Sequence, residues 1–462
     1  MSLDLTPEQK ATGKSNYDQA SGDLAREGRM RTLAAGGPSD PDRRDVLKAT
    51  LAAGAVVPIS AAVYFGYDSW KGNKAVRTAL IGAGDEGGVL VGDHNPEFNE
   101  IVAVCDIRPT NRKRIVEGEE RGPRKGLKRH YGEKVAKDIQ ENRMFDNLES
   151  LLAQKDKLGL EAVIIATPLN THDVIAKKCM DAGLHVLCEK LMAHDVSRCK
   201  SMIRHAQEKG VLLSIGHQRH YSTLYAQAIE LIENGILGDI KHIRALWHRN
   251  NSWPYDPKAF NEKKFDKKYG IPDCVDSWWK EVALEDSEAL TPEKLKGLAF
   301  ADPEKYGFKD VAELVRWRCF DRTGGGLMAE LGSHQLDASS IILGHVRPLA
   351  VTGVGGRYFY GDWEKARKGL PTGPNPREGS DTVFVTFSSI NTNEFESYGE
   401  WVMGSKGTMF LEREADVYLW REKDKTKKTD GGRDTKITVT TAGGGKAAMD
   451  ATSTWGGGGA AA

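Results

Sequence analysis

Between Val76 and Asp106 the chain reads VRTALIGAGDEGGVLVGDHNPEFNEIVAVCD, in which the apolar run Arg77–Ile81 ends in Gly82-Ala83-Gly84-Asp85-Glu86-Gly87. A second apolar run, Ile101–Cys105, delivers Asp106 22 positions after Gly84. Each residue type has a physical task at that spacing. Gly82 permits a tight turn, Gly84 lets the backbone approach a pyrophosphate, and Gly87 lets a following helix pack close to the strand, while unpaired N–H groups at the helix N-terminus, with Asp85 and Glu86 in its first turn, face the anion. A carboxylate at Asp106 accepts hydrogen bonds from an adenosine ribose. Glycines alone also mark ordinary turns; strand, turn, helix and acid together predict a dinucleotide site.

Two more groups carry chemistry. Glu189-Lys190 ends the apolar run His185–Cys188, and Glu330, His334, Asp337 and Ile341 follow Gly324-Gly325-Gly326 at i, i+4, i+7 and i+11, one face of a helix. Hydride loss from a C–OH carbon to a nicotinamide needs a base for the hydroxyl proton and a cation beside the developing alkoxide. Lys190 can hydrogen-bond that oxygen and His334 can take the proton. The plain alternatives are a surface lysine and an intrahelical Glu330–His334 pair with Asp337 solvated. Glu330 and His334 have a spacing that suits a metal, but no third ligand of recognisable spacing accompanies them, so no metal is expected.

The elements that must position these groups follow from periodicity. Glu161–Ala166 is an apolar run without alternation, as in strands buried on both faces. It ends in Thr167-Pro168-Leu169-Asn170-Thr171-His172, a helix runs to Ala182, Gly183 caps it, and His185–Cys188 is the next strand. Helices are also expected over Asn111–Glu119 and Gly132–Asn142. Strand, helix and strand repeat, which predicts a doubly wound parallel sheet with ligands at its carboxyl edge, where Thr167, Pro168, Glu189 and Lys190 fall. Arg108, Arg112 and Arg114 lie just past Asp106, where a guanidinium can neutralise a 2′-phosphate and admit NADP; a solvated helix face is the alternative. Asp106 tips the expectation narrowly to NAD.

Further on, Val211–Ile215 reads as a strand followed by Gln218, Arg219, His220 and Tyr221. Gln218 and Arg219 offer donors to hydroxyl groups, or form a plain loop. His248 lies in Trp247–Trp253, an aromatic and amide mixture suited to a carbohydrate face or to ordinary core. Thr382–Ser388, Glu400–Met403, Gly407–Leu411 and Val417–Trp420 read as strands, with a hairpin turn at Gly404-Ser405-Lys406-Gly407.

With 462 residues, two domains plus accessory segments are expected. The 65 basic residues balance 65 acidic ones, so bulk charge gives no case for a nucleic-acid partner. None of the six cysteines is spaced as CxxC, which points to buried thiols. Residues 1–74 read as a leader. Its polar first part offers too little apolar surface to offset ordering. Arg43-Arg44 then precede a stretch without charge from Ala49 to Tyr67, which resembles a twin-arginine export signal. Export to the periplasm, or retention as an outward-facing membrane anchor, is the expected localisation. A buried helix is the alternative. The expected domains are 75–197, 198–422 with an insertion at about 254–316 beside the site's mouth, and a Gly-rich tail, 423–462.

GAGDEG, TPLNTHDVIAKKCMDAGLHVLCEKLMA (167–193), GHQRHYSTLYAQAIELIENGILGDIKHIRALWH (216–248) and GGGLMAELGSHQLD (324–337) stand in one order. Together they resemble the Gfo/Idh/MocA oxidoreductases, the glucose–fructose oxidoreductase and inositol dehydrogenase family. The resemblance implies an N-terminal Rossmann domain and a C-terminal α/β domain whose open, mostly antiparallel sheet covers the cofactor and mediates homo-oligomer contacts. The family's Glu-Lys-Pro motif falls on Glu189-Lys190-Leu191, with leucine in place of proline, and its Asp-x-Gly-x-x-His-type motif falls on Glu330 to His334. Lys190, His334 and Glu330 are then the implied catalytic residues. Asn170, His172, Glu189 and Gln218 join the glycine turn, Asp106, Arg108, Thr167 and Pro168 around NAD or NADP. Arg219, Tyr221, His248 and Arg318 join Lys190 and His334 around a sugar-like substrate. An exported enzyme of this kind should fold around its dinucleotide and recycle it within one site. An NAD-dependent glycoside hydrolase of the same fold and a non-catalytic sugar- or cofactor-binding protein are the alternatives.

Overall fold

A computed structural model describes Glu8 and residues 74–250, 252–254, 261–269, 274–276, 278–297, 307–356, 382–384, 387–390, 392–421 and 437–441. Arg43-Arg44, the uncharged stretch behind them and nearly all of the Gly-rich tail lie outside the described residues. Among the described residues no helix is long and apolar enough to cross a membrane.

Six strands form the first sheet: β1 (Val76–Ile81), β2 (Asn99–Cys105), β3 (Met144–Phe145), β4 (Ala162–Ile165), β5 (His185–Cys188) and β6 (Leu213–Ile215). Their order is β3-β2-β1-β4-β5-β6 and every pairing is parallel. The strands lack alternation because both faces are covered. On β1, Ala79 and Ile81 join the core on one face while Leu80 joins the core on the other, and Val163 and Ile164 divide in the same way. Each fully buried valine, leucine or isoleucine side chain contributes roughly 1.5–3 kcal/mol. The helices Asp85–Asp93, Pro109–Glu117, Gly126–Asn142, His172–Asp181 and Val196–Lys209 provide the cover. Pro109 opens its helix at a position whose N–H would have no partner, so the helix starts before the expected Asn111. Gly132, with φ 78°, is a break inside the third helix, whose first part lies upstream of the expected start.

β6 pairs with β5, so the first domain runs through Ile215 and does not end at 197. The helix Val196–Lys209, capped by Asp195 accepting from the Arg198 N–H, is the crossover between them.

The second sheet has eight strands in the order β10-β11-β12-β7-β13-β14-β15-β16, where β7 is Ile240–Asn250, β10 Val354–Gly356, β11 Thr382–Phe384, β12 Phe387–Ile390, β13 Thr392–Gly404, β14 Gly407–Glu412, β15 Asp416–Arg421 and β16 Ile437–Thr441. Only the β12–β7 pairing is parallel. The helices Thr223–Glu233 and Ser333–Ile342 place Leu224, Leu231, Ala338 and Ile342 against Val402, Met409 and Leu419 of this sheet. The other face carries stacked rings, Trp401 on Phe410 at 4.1 Å and on Trp420 at 5.5 Å between centroids.

Within the insertion, β8 (Ser252–Pro254) and β9 (Cys274–Asp276) pair, and Val282, Leu290, Val311 and Leu314 form a small core against which Ile107, just past β2, packs. The insertion therefore stands at the carboxyl edge of the first sheet.

Candidate active site

A cavity of about 320 Å³ opens where the carboxyl edge of the parallel sheet meets the helix Ser333–Ile342 and the insertion. Its glycine turn fits a dinucleotide. Gly82 has φ +94°, and a Cβ there would lie 2.4 Å from the Ala166 oxygen. A Cβ on Gly87 would lie 2.0 Å from the Gly82 oxygen, so this glycine sets the helix against the turn without itself lining the cavity. On Gly84 the nearest atom to such a Cβ is Asn111 Nδ2 at 3.9 Å; the space beyond is open, as a pyrophosphate requires.

Asp106 closes the other side. Its Oδ2 accepts from the Ala83 N–H at 2.7 Å and from Asn111 Nδ2 at 3.0 Å, and its Oδ1 accepts from the Arg108 N–H at 2.7 Å. These bonds hold the carboxylate on the cavity wall between the turn and the helix Pro109–Glu117. The three arginines that could meet a 2′-phosphate are engaged internally. Arg108 pairs with Asp286 at 2.9 Å, Arg112 donates to the Asp106 carbonyl at 2.6 Å, and Arg114 pairs with Asp85 at 2.9 Å. Burial opposes ionisation of Asp85, yet Lys280, Arg114 and Arg124 hold its carboxyl well below the usual range.

At the far end, Lys190 Nζ donates to the Glu330 carbonyl oxygen at 2.9 Å, and the Lys190 N–H donates to Glu189 Oε2 at 3.0 Å. The Lys190–Leu191 peptide bond is cis. Glu330 Oε2 accepts from Arg318 Nε at 2.8 Å. His334 is buried, its ring 5.0 Å from the Trp247 centroid. Lys190, Glu330, Arg318 and His334 all line the cavity that holds the glycine turn. Glu330 does not sit on one continuous α-helix with His334, because Met328–Gly332 is a π-helical turn that precedes the helix. Asp337, expected on the same face, bonds His220 at 2.9 Å instead.

The carboxyls of the site diverge. Burial pushes Glu86 up, and burial with the neighbouring Glu86 pushes Glu189 up to about 8. Glu330 is just as buried, but Arg318 and Lys190 hold it below its ordinary value. At this end of the cavity the Lys190 ammonium and the Arg318 guanidinium thus stand around the ionised Glu330, while the raised values of Glu86 and Glu189 leave a proton between them. That balance favours an anionic ligand and a developing negative charge.

Gly82, Gly84, Asp85, Glu86, Asp106, Arg108, Thr167, Pro168, Glu189 and Gln218 are on the cavity wall. Others are elsewhere. The 3₁₀ turn Gln218–Tyr221 aims Gln218 at the cavity and Arg219 inward. There Arg219 is 2 % exposed, bonded to Tyr225 at 3.0 Å, paired with Glu414 at 3.0 Å, and close to Glu400 at 3.7 Å. It is an ion of the second domain's core rather than a substrate contact. Tyr221 is exposed and bonds Ser214 at 2.8 Å. His248 stays on β7, off the cavity wall. Asn170 is buried in the turn Leu169–Thr171, and His172 bridges the carbonyls of Leu191 at 2.7 Å and Thr167 at 2.8 Å. His172 therefore ties the two strand ends together behind the cavity wall, and Asn170 is packed beside it.

Sequence reasoning missed Lys280 and Trp278, which the insertion brings to the cavity, and Thr110 and Asn111 on the Asp106 side. Lys280 pairs with Asp85 across 195 positions, a separation at which spacing carries no signal.

Fold and site together define a dinucleotide-binding protein with a Rossmann domain and an antiparallel-sheet domain around one cleft. Residues 76–217 match the family model GFO_IDH_MocA, described as oxidoreductase family, NAD-binding Rossmann fold. Over those residues the first domain is similar to the NAD-binding Rossmann domain of that oxidoreductase family. Inositol 2-dehydrogenase 1 of Saccharopolyspora erythraea is 33% identical over 93 residues, 20% of this chain and 27% of that protein. A glycosyl hydrolase family 109 protein of Stenotrophomonas maltophilia is 25% identical over 220 residues, 44% of this chain and 46% of that protein. The chain spans about a third or less of the length of curated relatives at 31–33% identity. Among solved structures, an inositol dehydrogenase homologue complexed with NAD+ from Azotobacter vinelandii superposes with a TM-score of 0.51 at 15% identity, over 83% of this chain and 84% of that one, a likeness of fold.

Proposed function

We propose that this protein is a nicotinamide-dependent oxidoreductase that moves a hydride at a C–OH carbon of a sugar, cyclitol or derivative, keeping its dinucleotide through turnover. One observation carries the reading: Lys190, Glu330 and His334 share a cavity wall with the Gly82–Gly87 turn and Asp106. The bound nicotinamide supplies the hydride acceptor. Lys190, steadied by the Glu330 carbonyl, donates to the substrate oxygen and stabilises it as an alkoxide. His334 Nδ1 or Nε2 takes the hydroxyl proton. Arg318 and Glu330 keep that end charged and ordered, and Gln218 offers a donor to a neighbouring hydroxyl.

Denaturing the purified protein and identifying released dinucleotide, followed by incubation with a panel of sugars and cyclitols, tests the proposal. Bound NAD with paired alcohol and ketone products supports it; a protein that neither carries nor binds a dinucleotide sinks it. A second reading, an NAD-dependent glycoside hydrolase, draws support from the Stenotrophomonas relative's name. It predicts glycone release without net redox change. Binding of sugar and dinucleotide without turnover of any kind would instead leave a binding protein.

Arg43-Arg44 and the uncharged residues after them support export by the twin-arginine route, with the dinucleotide bound beforehand. A reporter fused to residues 1–74 should leave the cytoplasm and stop doing so when both arginines become lysine. The eight-stranded sheet is the surface we assign to homo-oligomer contacts, and light scattering on the purified protein decides it.

A further inference from the structure

Asp286 lies on the short helix Leu284–Ala289 of the insertion and is fully buried, at 0 % exposure. Its carboxylate is held entirely by groups just past Asp106. Oδ2 takes Arg108 Nε and Nη2, both at 2.9 Å, and the Thr110 hydroxyl at 2.7 Å; Oδ1 takes the Thr110 N–H at 3.1 Å. A guanidinium fork, a hydroxyl and an N–H from the first turn of the helix Pro109–Glu117 make a cradle for a tetrahedral or planar anion. The cradle adjoins the ribose acid, because the Arg108 N–H bonds Asp106 Oδ1 at 2.7 Å. The insertion keeps Asp286 there through its apolar core, which includes Ile107, and through Glu285, which pairs with Lys113 at 2.6 Å.

A phosphate on the 2′-oxygen of a ribose bound at Asp106 needs these donors, since they are the cation and N–H groups that a strand-end arginine and its helix provide. They are taken, and the group that takes them is itself negative. We propose that Asp286 is an internal stand-in for the 2′-phosphate and makes this protein selective for NAD over NADP. The inference rests on the dinucleotide reading above and adds a selectivity residue to it. Arg108, which by sequence alone argued for NADP, becomes part of the device that excludes it.

Equilibrium binding of NAD+, NADP+ and 2′,5′-ADP to the full chain tests this, with the wild type, Asp286→Ala and Asp286→Asn compared and folding checked by circular dichroism. The wild type should prefer NAD+. Asp286→Ala should move the NADP+/NAD+ affinity ratio about tenfold or more toward NADP+ and bind 2′,5′-ADP, as expected when a charge-assisted donor set is released to a phosphate. Asp286→Asn, which keeps the volume and removes the charge, should move the ratio the same way by less. In thermal melts NADP+ should raise the Asp286→Ala midpoint more than NAD+ does. A wild type that binds both dinucleotides equally overturns the inference, as does a folded variant with an unchanged ratio. If Asp286→Ala does not fold, the wild-type ratio and Asp286→Asn still decide. A wild type that binds no dinucleotide removes the functional reading, and the inference with it, a result distinct from unaltered selectivity.

Discussion

Lys190 Nζ and the Glu330 carbonyl oxygen, 140 positions apart, meet at 2.9 Å and tie the carboxyl end of β5 to the π-helical turn of the second domain. The bond fixes the ammonium on the cavity wall. A group that must stabilise an alkoxide gains most from being positioned before the charge develops.

Replacing Lys190 by methionine keeps the chain length and removes the donor. The rate should fall about 100-fold or more, in the range seen when one charge-stabilising donor is lost, while dinucleotide affinity stays within roughly threefold. Steady-state kinetics beside equilibrium binding checks the split; equal loss in both would move Lys190 from the substrate to the cofactor.

Gly84 and Gly87 should separate binding from folding. A methyl on Gly84 has its nearest neighbour at 3.9 Å, so Gly84→Ala should melt like the wild type yet bind NAD at least about tenfold more weakly, because the methyl stands where the pyrophosphate approaches. Gly87→Ala would set a methyl 2.0 Å from the Gly82 oxygen, and should lower the melting temperature itself.

Glu189 gives the stability a pH signature. Its ordinary value of 4.5 rises to about 8 in the folded protein, through burial and the neighbouring Glu86. The folded state therefore keeps a proton that the unfolded chain releases, and stability is full below about 4.5 and declines as pH rises toward about 8. The decline should be on the order of a few kcal/mol, and Glu189→Gln should flatten it. Denaturant melts of both proteins from pH 5 to pH 9 give the comparison; parallel curves would show that Glu189 does not carry the effect.

Arg219 should prove structural. Its side chain is buried against Glu400 and Glu414, so Arg219→Met leaves buried carboxyls without their cation and should cost about 3–5 kcal/mol. The folded fraction should retain kcat and KM. A variant of unchanged stability with a raised KM would return Arg219 to the substrate.

Much of the first domain could be read directly. The turn at Gly82–Gly87, the unalternating runs of β1, β4 and β5, and Asp106 at the end of β2 are each specified by neighbours a few positions away. Short-range order of that kind is what side-chain period and backbone freedom encode. The same locality pointed to Lys190 and Glu189, which line the cavity, since a strand end in a parallel sheet is a ligand edge. It failed where direction was needed: Gln218 on the cavity wall and Arg219 in the core are adjacent in the chain, and a 3₁₀ turn made the difference.

The sequence by itself determined that a dinucleotide-binding βαβ unit starts at Val76, and it singled out an acid, a lysine and a histidine as candidates for the chemistry. Only the tertiary structure decided which charges meet. Arg108 pairs with Asp286 across 178 positions and Asp85 with Lys280 across 195, because a helix and a loop of the insertion pack over the Asp106 end of the cavity. Charges act through space and are screened or strengthened by what surrounds them, so their partners follow from packing and not from order along the chain.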